Sequence, residues 1–336
     1  MAPSRFWNFT MNLSIKVPEE RIAKFPRERG KSLLMVVRRE PFLIEHRVFY
    51  EISDILTPDY LLVLNNSKVI KAKIKLKKPS GKFTSFLFVS SKGDLVRGLM
   101  KGRVKEGWIL ESEKGRKFEV LGRDEEGYVV LKTKENILSI LEEEGKMPLP
   151  PYIRRESLPE DEVYYQTVYA QKPGSIASPT AGLHFTEDIL KALNEKGIKT
   201  VFITLHVGTG TFKPVKDPEK HKMEEEYYEI PEQALEDILK HKENGGKILA
   251  VGTTTVRTLE SWARTGKTKG YTDLFIKPPF EFKVVDALLT NFHLPDGTPI
   301  LLVAAFMGWD KVKFAYEEAL RRDYMFFSYG DAMLIL

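Results

Sequence analysis

The chain has 336 residues, of which 42% are hydrophobic and 11% aromatic; this excludes a disordered chain and gives material for roughly two domains. It contains no cysteine, which excludes disulfides, thiolate nucleophiles and cysteine metal sites together. The 52 Lys and Arg exceed the 47 Asp and Glu by +5, no apolar run reaches the length of a membrane span, and Met1–Asn12 lacks a signal-peptide core, so a cytoplasmic protein without a membrane partner is expected.

In chain order, the folded pattern begins near Leu13, and residues 1–12 read as an extension, with Met11 as a candidate start. A short helix is expected after Pro18. Strand-like runs follow at 32–39, 43–50 and 59–67, the last ending in an Asn-Asn-Ser turn. The character changes at 71–78, KAKIKLKK, where strict alternation puts Ala72, Ile74 and Leu76 on one face and Lys71, Lys73, Lys75 and Lys77 on the other. Further short strands at 83–90, 107–112, 117–122 and 127–132, separated by Gly and charged turns, predict a small β-barrel or sandwich.

Residues 71–150 hold 18 Lys and Arg against 12 Asp and Glu, and in 71–105 eleven basic residues face Asp94 alone. One lysine-lined strand reads most simply as a solvated, aggregation-resistant edge. A module carrying all of the excess charge is better explained by a polyanion, with Arg97, Lys101 and Arg103 extending the surface. A helix at 135–145 and a proline-rich hinge at 146–153 close the module. The expected domains are therefore 1–70 plus 150–336, with 71–149 as a basic β-barrel insertion. Beyond the hinge, Tyr165 and Gln166 in DEVYYQTVYA are candidates for stacking on bases, against the commoner role of core aromatics.

The stretch 174–186, GSIASPTAGLHFT, carries neither a strand nor a helix period and reads as a shaped loop, with Thr186 capping the next helix. Helices and strands then alternate. Helices are expected at 187–196, 231–243, from Thr253 onward, around Leu301–Phe306 and at 310–323, and strands at 199–207, 247–252, 284–292 and the C-terminus. The expected fold class is α/β, a layered α/β/α sandwich with the barrel inserted. Ligands of such sheets bind beyond the carboxyl ends of strands, where loops 206–212, 252–257 and 291–295 fall.

His184 lies in the 174–186 loop, and His206 and His293 lie in loops 206–212 and 291–295. Three histidines in converging loops suggest acid/base chemistry or a metal, although a lone histidine is more often structural. No HxH or HExxH spacing supports the metal, no GxSxG elbow supports a hydrolase, and GTTT lacks the Gly-Lys-Ser/Thr ending of a phosphate loop.

GSIASPTAGLHFT, TLHVGTGTFKPV, VGTTTVRTLES, DALLTNFHLP and FFSYGDAMLI together resemble the S-adenosylmethionine:tRNA ribosyltransferase-isomerases of queuosine biosynthesis. YYQTVYA, PLPPYI and LLVLNNSKVIKAKI extend the resemblance from about residue 13 to the end. Departures are Thr209 and Thr255, where Ala and Ser are expected, and Asp296–Pro299, where the family usually reads Lys-Ser-Thr-Leu. The resemblance implies transfer and isomerisation of the ribosyl group of S-adenosylmethionine onto 7-aminomethyl-7-deazaguanine at the tRNA wobble position. It yields epoxyqueuosine, adenine and methionine.

On that reading the partners are tRNA and S-adenosylmethionine, the latter consumed as substrate, with no resident cofactor, no metal and a monomeric state. Substrate-site residues are then expected at Ser178, Pro179, Thr180, Gly182 and Phe185; at Gly208, Thr209, Gly210, Thr211 and Phe212; and at Thr253, Thr254, Arg257, Glu260, Asn291 and Asp331. Arg257 and the GTTT backbone suit a carboxylate, and Glu260 an ammonium. Asp286 and Asp331 are reserve carboxylates, and the acid/base work falls to His184, His206 or His293. Two rival readings are a non-catalytic tRNA-binding protein and a histidine-metal hydrolase, which differ in S-adenosylmethionine binding and in sensitivity to chelators.

Overall fold

Apolar runs and alternating runs build two different sheets in this chain. The computed structural model describes residues 15–212, 215 and 217–336; the expected N-terminal extension lies outside them. Strands β1 (Leu33–Arg39) and β2 (Phe42–Val48) lead to α1 (Ile52–Ile55), β3 (Tyr60–Asn65) and β4 (Ser67–Val69). The chain then forms β5 (Lys73–Lys77), β6 (Phe83–Lys92), β7 (Leu95–Met100), β8 (Ile109–Ser112), β9 (Lys117–Arg123), β10 (Val129–Lys132) and α2 (Ile137–Glu144). It returns through α3 (Asp161–Tyr164) and β11 (Lys172–Ser175). After these come α4 (Glu187–Glu195), β12 (Thr200–Leu205), β13 (Glu226–Glu229), α5 (Glu232–Glu243), β14 (Lys247–Val251) and α6 (Thr253–Thr265). The last elements are β15 (Lys269–Thr272), β16 (Ala287–Asn291), α7 (Thr298–Met307), α8 (Trp309–Arg321) and β17 (Ala332–Ile335).

Nine strands form one sheet in the order β15-β13-β12-β3-β14-β16-β17-β1-β2. Its centre, β12, β3, β14 and β16, is parallel, and β3 is buried at every position, as a strand covered on both faces must be. Alternation divides the sheet's side chains between two cores. Met35, Leu61, Val63, Ile248 and Leu288 pack under α5–α8, whereas Leu34, Leu62, Leu64, Val251 and Leu289 pack under α1 and α4. This is the α/β/α sandwich the sequence predicts.

β17 runs antiparallel to β16, with Ala332 opposite Asn291, and parallel to β1. The segments before β17 and before β1 therefore arrive at the same edge as the carboxyl ends of the central strands.

The insertion is a closed barrel ordered β10-β7-β6-β5-β8-β9. Ala72, Ile74 and Leu76 point into its core with Phe86, Phe118 and Leu131. β7 breaks the expected alternation because its inward position 98 is glycine. A Cβ there would lie 2.4 Å from the Phe86 ring, so that ring takes the space of the missing side chain. β13 and β15, EYYE and KGYT, carry charges and tyrosines with no apolar period and were not expected as strands. No helix among the described residues is long and apolar enough to cross a membrane.

Candidate active site

Three loops from the carboxyl edge of the central parallel strands line one cleft with a fourth segment that follows β11, a strand paired with β4 outside the large sheet. Ala177–Ala181 follows β11, Val207 follows β12, Gly252–Thr254 joins β14 to α6, and Thr290, Asn291, His293 and Leu294 end β16. Gly297 and Pro299 at the start of α7 complete one side, and Tyr152, Tyr165, Phe327 and Ser328 the other. Gly252 and Gly297 cap α6 and α7 and have no side chain to cap with, so two helix N-termini present main-chain N–H groups and positive dipole ends at the cleft.

The loop 174–186 needs its glycine at 182, where a Cβ would fall 2.0 Å from the Tyr169 hydroxyl. Thr180 donates to Asn291 Oδ1 at 2.9 Å, and Asn291 Nδ2 donates to His184 Nε2 at 3.1 Å. His184 Nδ1 therefore carries the proton and donates to Ser32 Oγ at 2.6 Å. The His184 ring stacks on Phe49 at 5.0 Å, and burial pushes its pKa down to about 3. Both nitrogens are occupied, and the ring lies one layer behind the cleft.

His206 is half-buried and stacks on Tyr227 at 5.8 Å, with Nδ1 2.8 Å from Ser67 Oγ. Burial lowers its pKa, with Glu229 opposing and Lys172 adding to the shift. It connects to the cleft wall through Ser67, Ser175 and the Val207 N–H, which donates to Ser175 Oγ at 2.8 Å.

His293 is the histidine that lines the cleft. Its Nε2 lies 2.6 Å from Thr290 Oγ1, and its backbone N–H donates to the Tyr316 hydroxyl at 2.7 Å. Burial lowers its pKa, so the imidazole is neutral near pH 7. Among the described residues no three metal-ligating side chains converge.

The expected charged residues are held elsewhere. Glu260 is fully buried and accepts from the backbone N–H groups of Lys283, Val284 and Val285 at 3.0–3.2 Å and from Arg264 at 2.5 Å, which leaves no oxygen for an ammonium. Arg257 pairs with Glu226 and donates to the Leu274 carbonyl at 3.0 Å. It borders a smaller cavity with Thr253, Thr254 and Pro299. Glu226 in turn accepts from the Gly208 N–H at 2.7 Å, which fixes the start of GTGTF, and Thr209 donates to Glu224 at 3.2 Å. Gly210 closes on Glu224 as well, while the side chains of Thr211 and Phe212 lie outside the described residues. Thr255 donates its hydroxyl to the Val251 carbonyl at 2.8 Å and does not line the cleft.

Asp331 is buried under Arg27, the Leu33 N–H and the Met325 N–H. Burial raises its pKa against those partners. Asp286 holds Lys242 at 3.0 Å. Phe185 is buried in the core beneath Phe49, and Ser178, Pro179 and Thr180 line the cleft, Ser178 with its buried hydroxyl unpaired.

The surface expected to meet tRNA is also rearranged. Tyr165 is fully buried against Tyr329 and cannot stack on a base from outside. Gln166 spends both ends of its amide on Val69, at 2.9 and 2.7 Å. Lys71 and Lys75 are paired with Glu162 and Glu156, and Arg97 with Asp124 and Glu126. Lys73 is half-buried, whereas Lys77, Lys101 and Arg103 are exposed.

Tyr152, Thr290, Gly297, Pro299, Phe327 and Ser328 line the cleft without having been expected there. Thr290 and Ser328 lie inside DALLTNFHLP and FFSYGDAMLI, so the motifs carry the signal without singling out these two residues. Phe327 sits at φ 73, a strained position for a bulky residue and a frequent mark of a working site.

A family model described as queuosine biosynthesis protein matches residues 10–335. The chain is 49% identical over 327 residues to the S-adenosylmethionine:tRNA ribosyltransferase-isomerase of a Sulfurihydrogenibium species, covering 95% of this chain and 97% of the relative. The protein of the same name from Thermotoga maritima is 48% identical over 333 residues, covering 96% and 98%. A crystal structure of S-adenosylmethionine tRNA ribosyltransferase from Thermotoga maritima superposes with TM-score 0.57 at 38% identity, covering 96% of this chain and 99% of that one. Matched almost end to end, the chain belongs to the S-adenosylmethionine:tRNA ribosyltransferase-isomerase family of queuosine biosynthesis enzymes.

Proposed function

We propose that this enzyme transfers and isomerises the ribosyl group of S-adenosylmethionine onto 7-aminomethyl-7-deazaguanine at the tRNA wobble position, forming epoxyqueuosine and releasing adenine and methionine. S-adenosylmethionine is consumed as ribosyl donor, no resident cofactor takes part, and the work on tRNA is done in the cytoplasm. The observation that carries the reading is the cleft in which a neutral His293 faces two helix N-termini.

The sulfonium of the donor acidifies the adjacent 5′ carbon, and a neutral imidazole is in the protonation state to take that proton, although the burial that keeps it neutral also makes it a weaker base than a free imidazole. His293 is the base on this reading, oriented by Thr290 at Nε2. The N-termini of α6 and α7 receive the methionine carboxylate, a role expected of Arg257 that its pairing with Glu226 removes. Ser178, Thr180 and Ser328 offer hydroxyls to ribose and base.

Incubation with S-adenosylmethionine and tRNA bearing the aminomethyl base tests this directly. Adenine release together with an epoxycyclopentane adduct on the tRNA is expected. A methyl adduct overturns the proposal in favour of a methyltransferase, and tRNA binding without turnover favours the binding-protein reading.

A further inference from the structure

On the lysine strand of the barrel, Lys71 and Lys75 are paired with Glu162 and Glu156 at 2.8 and 3.1 Å. Further positive groups lie on the segment before β1, which the parallel pairing of β1 with β17 carries to the edge where the cleft opens. A small pocket there is lined by Arg27, Arg29, Ser32, Tyr164 and Tyr329, with Glu28, held by Lys31 at 2.6 Å, on the same lining, and it shares Ser328 with the cleft.

Arg29 is unusual in this pocket. It is half-buried, and its donors reach only main-chain carbonyls, those of Leu183 at 3.2 Å, Val163 at 2.7 Å and Gln166 at 2.8 Å. Its guanidinium lies 5.5 Å from the centre of the Tyr164 ring. Among the described residues no carboxylate pairs with it, and burial lowers its pKa, as it does for a cation lacking a counter-ion. A guanidinium carries five N–H donors, so the three carbonyls leave donors spare. Arg27 is exposed, with one contact to the buried Asp331 at 2.9 Å.

A half-buried positive charge without an anion is costly, and a fork of spare donors matches phosphate oxygens. We propose that Arg29 and Arg27 hold a backbone phosphate of the tRNA beside the nucleotide whose base enters the cleft. This rests on the tRNA reading above and adds a binding site to it. A guanidinium that only stitches three carbonyls together predicts a loss of stability with no change in salt dependence.

The test measures binding of labelled tRNA to the full-length chain across a salt series, with thermal unfolding and S-adenosylmethionine binding alongside. Arg29→Gln removes the charge and is expected to weaken tRNA binding about five- to tenfold near ~0.1 M salt. It also lowers the slope of log affinity against log salt by roughly 0.7–0.9, the yield of one phosphate contact, while S-adenosylmethionine still binds. Arg29→Lys keeps most of the slope. Arg27→Gln leaves the three Arg29 carbonyl contacts intact, and Asp331 keeps its Leu33 and Met325 N–H donors; it is expected to lower the slope as well, so a poorly folded Arg29→Gln does not end the test. If both glutamine variants keep wild-type affinity and slope while wild type transfers ribose, the phosphate site is overturned and the proposed reaction stands. A wild-type chain that binds no tRNA overturns that reaction and the site with it.

Discussion

Three histidines occupy three loops of this enzyme, yet their surroundings give them different work. His184 has both nitrogens engaged and a buried ring, so its replacement removes partners from Ser32 and Asn291 at once. An unpaired buried polar group costs about 1–3 kcal/mol, and His184→Ala is expected to lose stability of that order for each abandoned partner, read in urea unfolding. His293 touches the cleft directly. Its replacement by alanine is expected to lower turnover by about 10²–10⁴-fold, the usual contribution of a positioned base. Binding of S-adenosylmethionine, measured by calorimetry, should change little. Full turnover in His293→Ala would remove it as the base and pass the role to His206, whose Nδ1 chain ends at Val207 on the cleft wall.

At the scale of elements, Glu260 shows how a residue that reads as functional becomes structural. It lies in the α6 helix, and the segment it clamps, Lys283–Val285, precedes β16 and carries that strand into register beside β14. Glu260→Gln is expected to cost about 1–3 kcal/mol, because the neutral amide weakens the contacts with the Lys283, Val284 and Val285 N–H groups while the Arg264 partner is open to solvent, with Thr253 and Thr254 still in place at the cleft. Chemical denaturation checks this, and an unchanged midpoint would return Glu260 to the substrate list. The clamp was invisible in sequence because its backbone donors lie 23–25 residues away across a loop with no period, and Arg264 is one helical turn along. Arg257 and Glu226 are 31 residues apart for the same reason. By contrast, β3 and β14 were legible from apolar runs and the barrel's β5 from strict alternation, since burial of one face or two dictates those patterns. β7 escaped because Gly98 replaces an apolar residue where the Phe86 ring fills the space.

On the scale of the whole molecule, barrel and sandwich are joined through side chains as well as through the hinge. The Tyr128 hydroxyl, at the start of β10, donates to Glu224 at 2.7 Å, and Glu224 also holds Thr209 in the loop after β12. Met147 and Ile153 in the hinge pack with Tyr165, Leu183 and Tyr329, so the same link supplies one wall of the cleft. The motifs that built the family resemblance are thus spread over loops that only the complete fold brings together.

Stability of the assembled fold should carry the mark of its buried histidines. The folded pKa of His184 is about 3, far below the value near 6.5 of an unfolded histidine, and that of His293 is lowered too. Between pH 6.5 and about 3 the unfolded chain therefore binds protons that the folded chain refuses, and stability falls as pH falls through this window. Each histidine contributes a slope of up to about 1.4 kcal/mol per pH unit, fully relieved above pH 6.5. Asp331 acts in the opposite direction, since its raised pKa makes the folded chain bind a proton more readily above the ordinary carboxylate range. Urea unfolding at pH 8, 7, 6 and 5 should show a plateau followed by a decline. His184→Gln should be less stable at pH 8 yet decline more gently, because one of the protons taken up on unfolding is gone. Parallel declines in variant and wild type would show that His184 titrates normally in the fold, which its buried contacts with Ser32, Asn291 and Phe49 forbid.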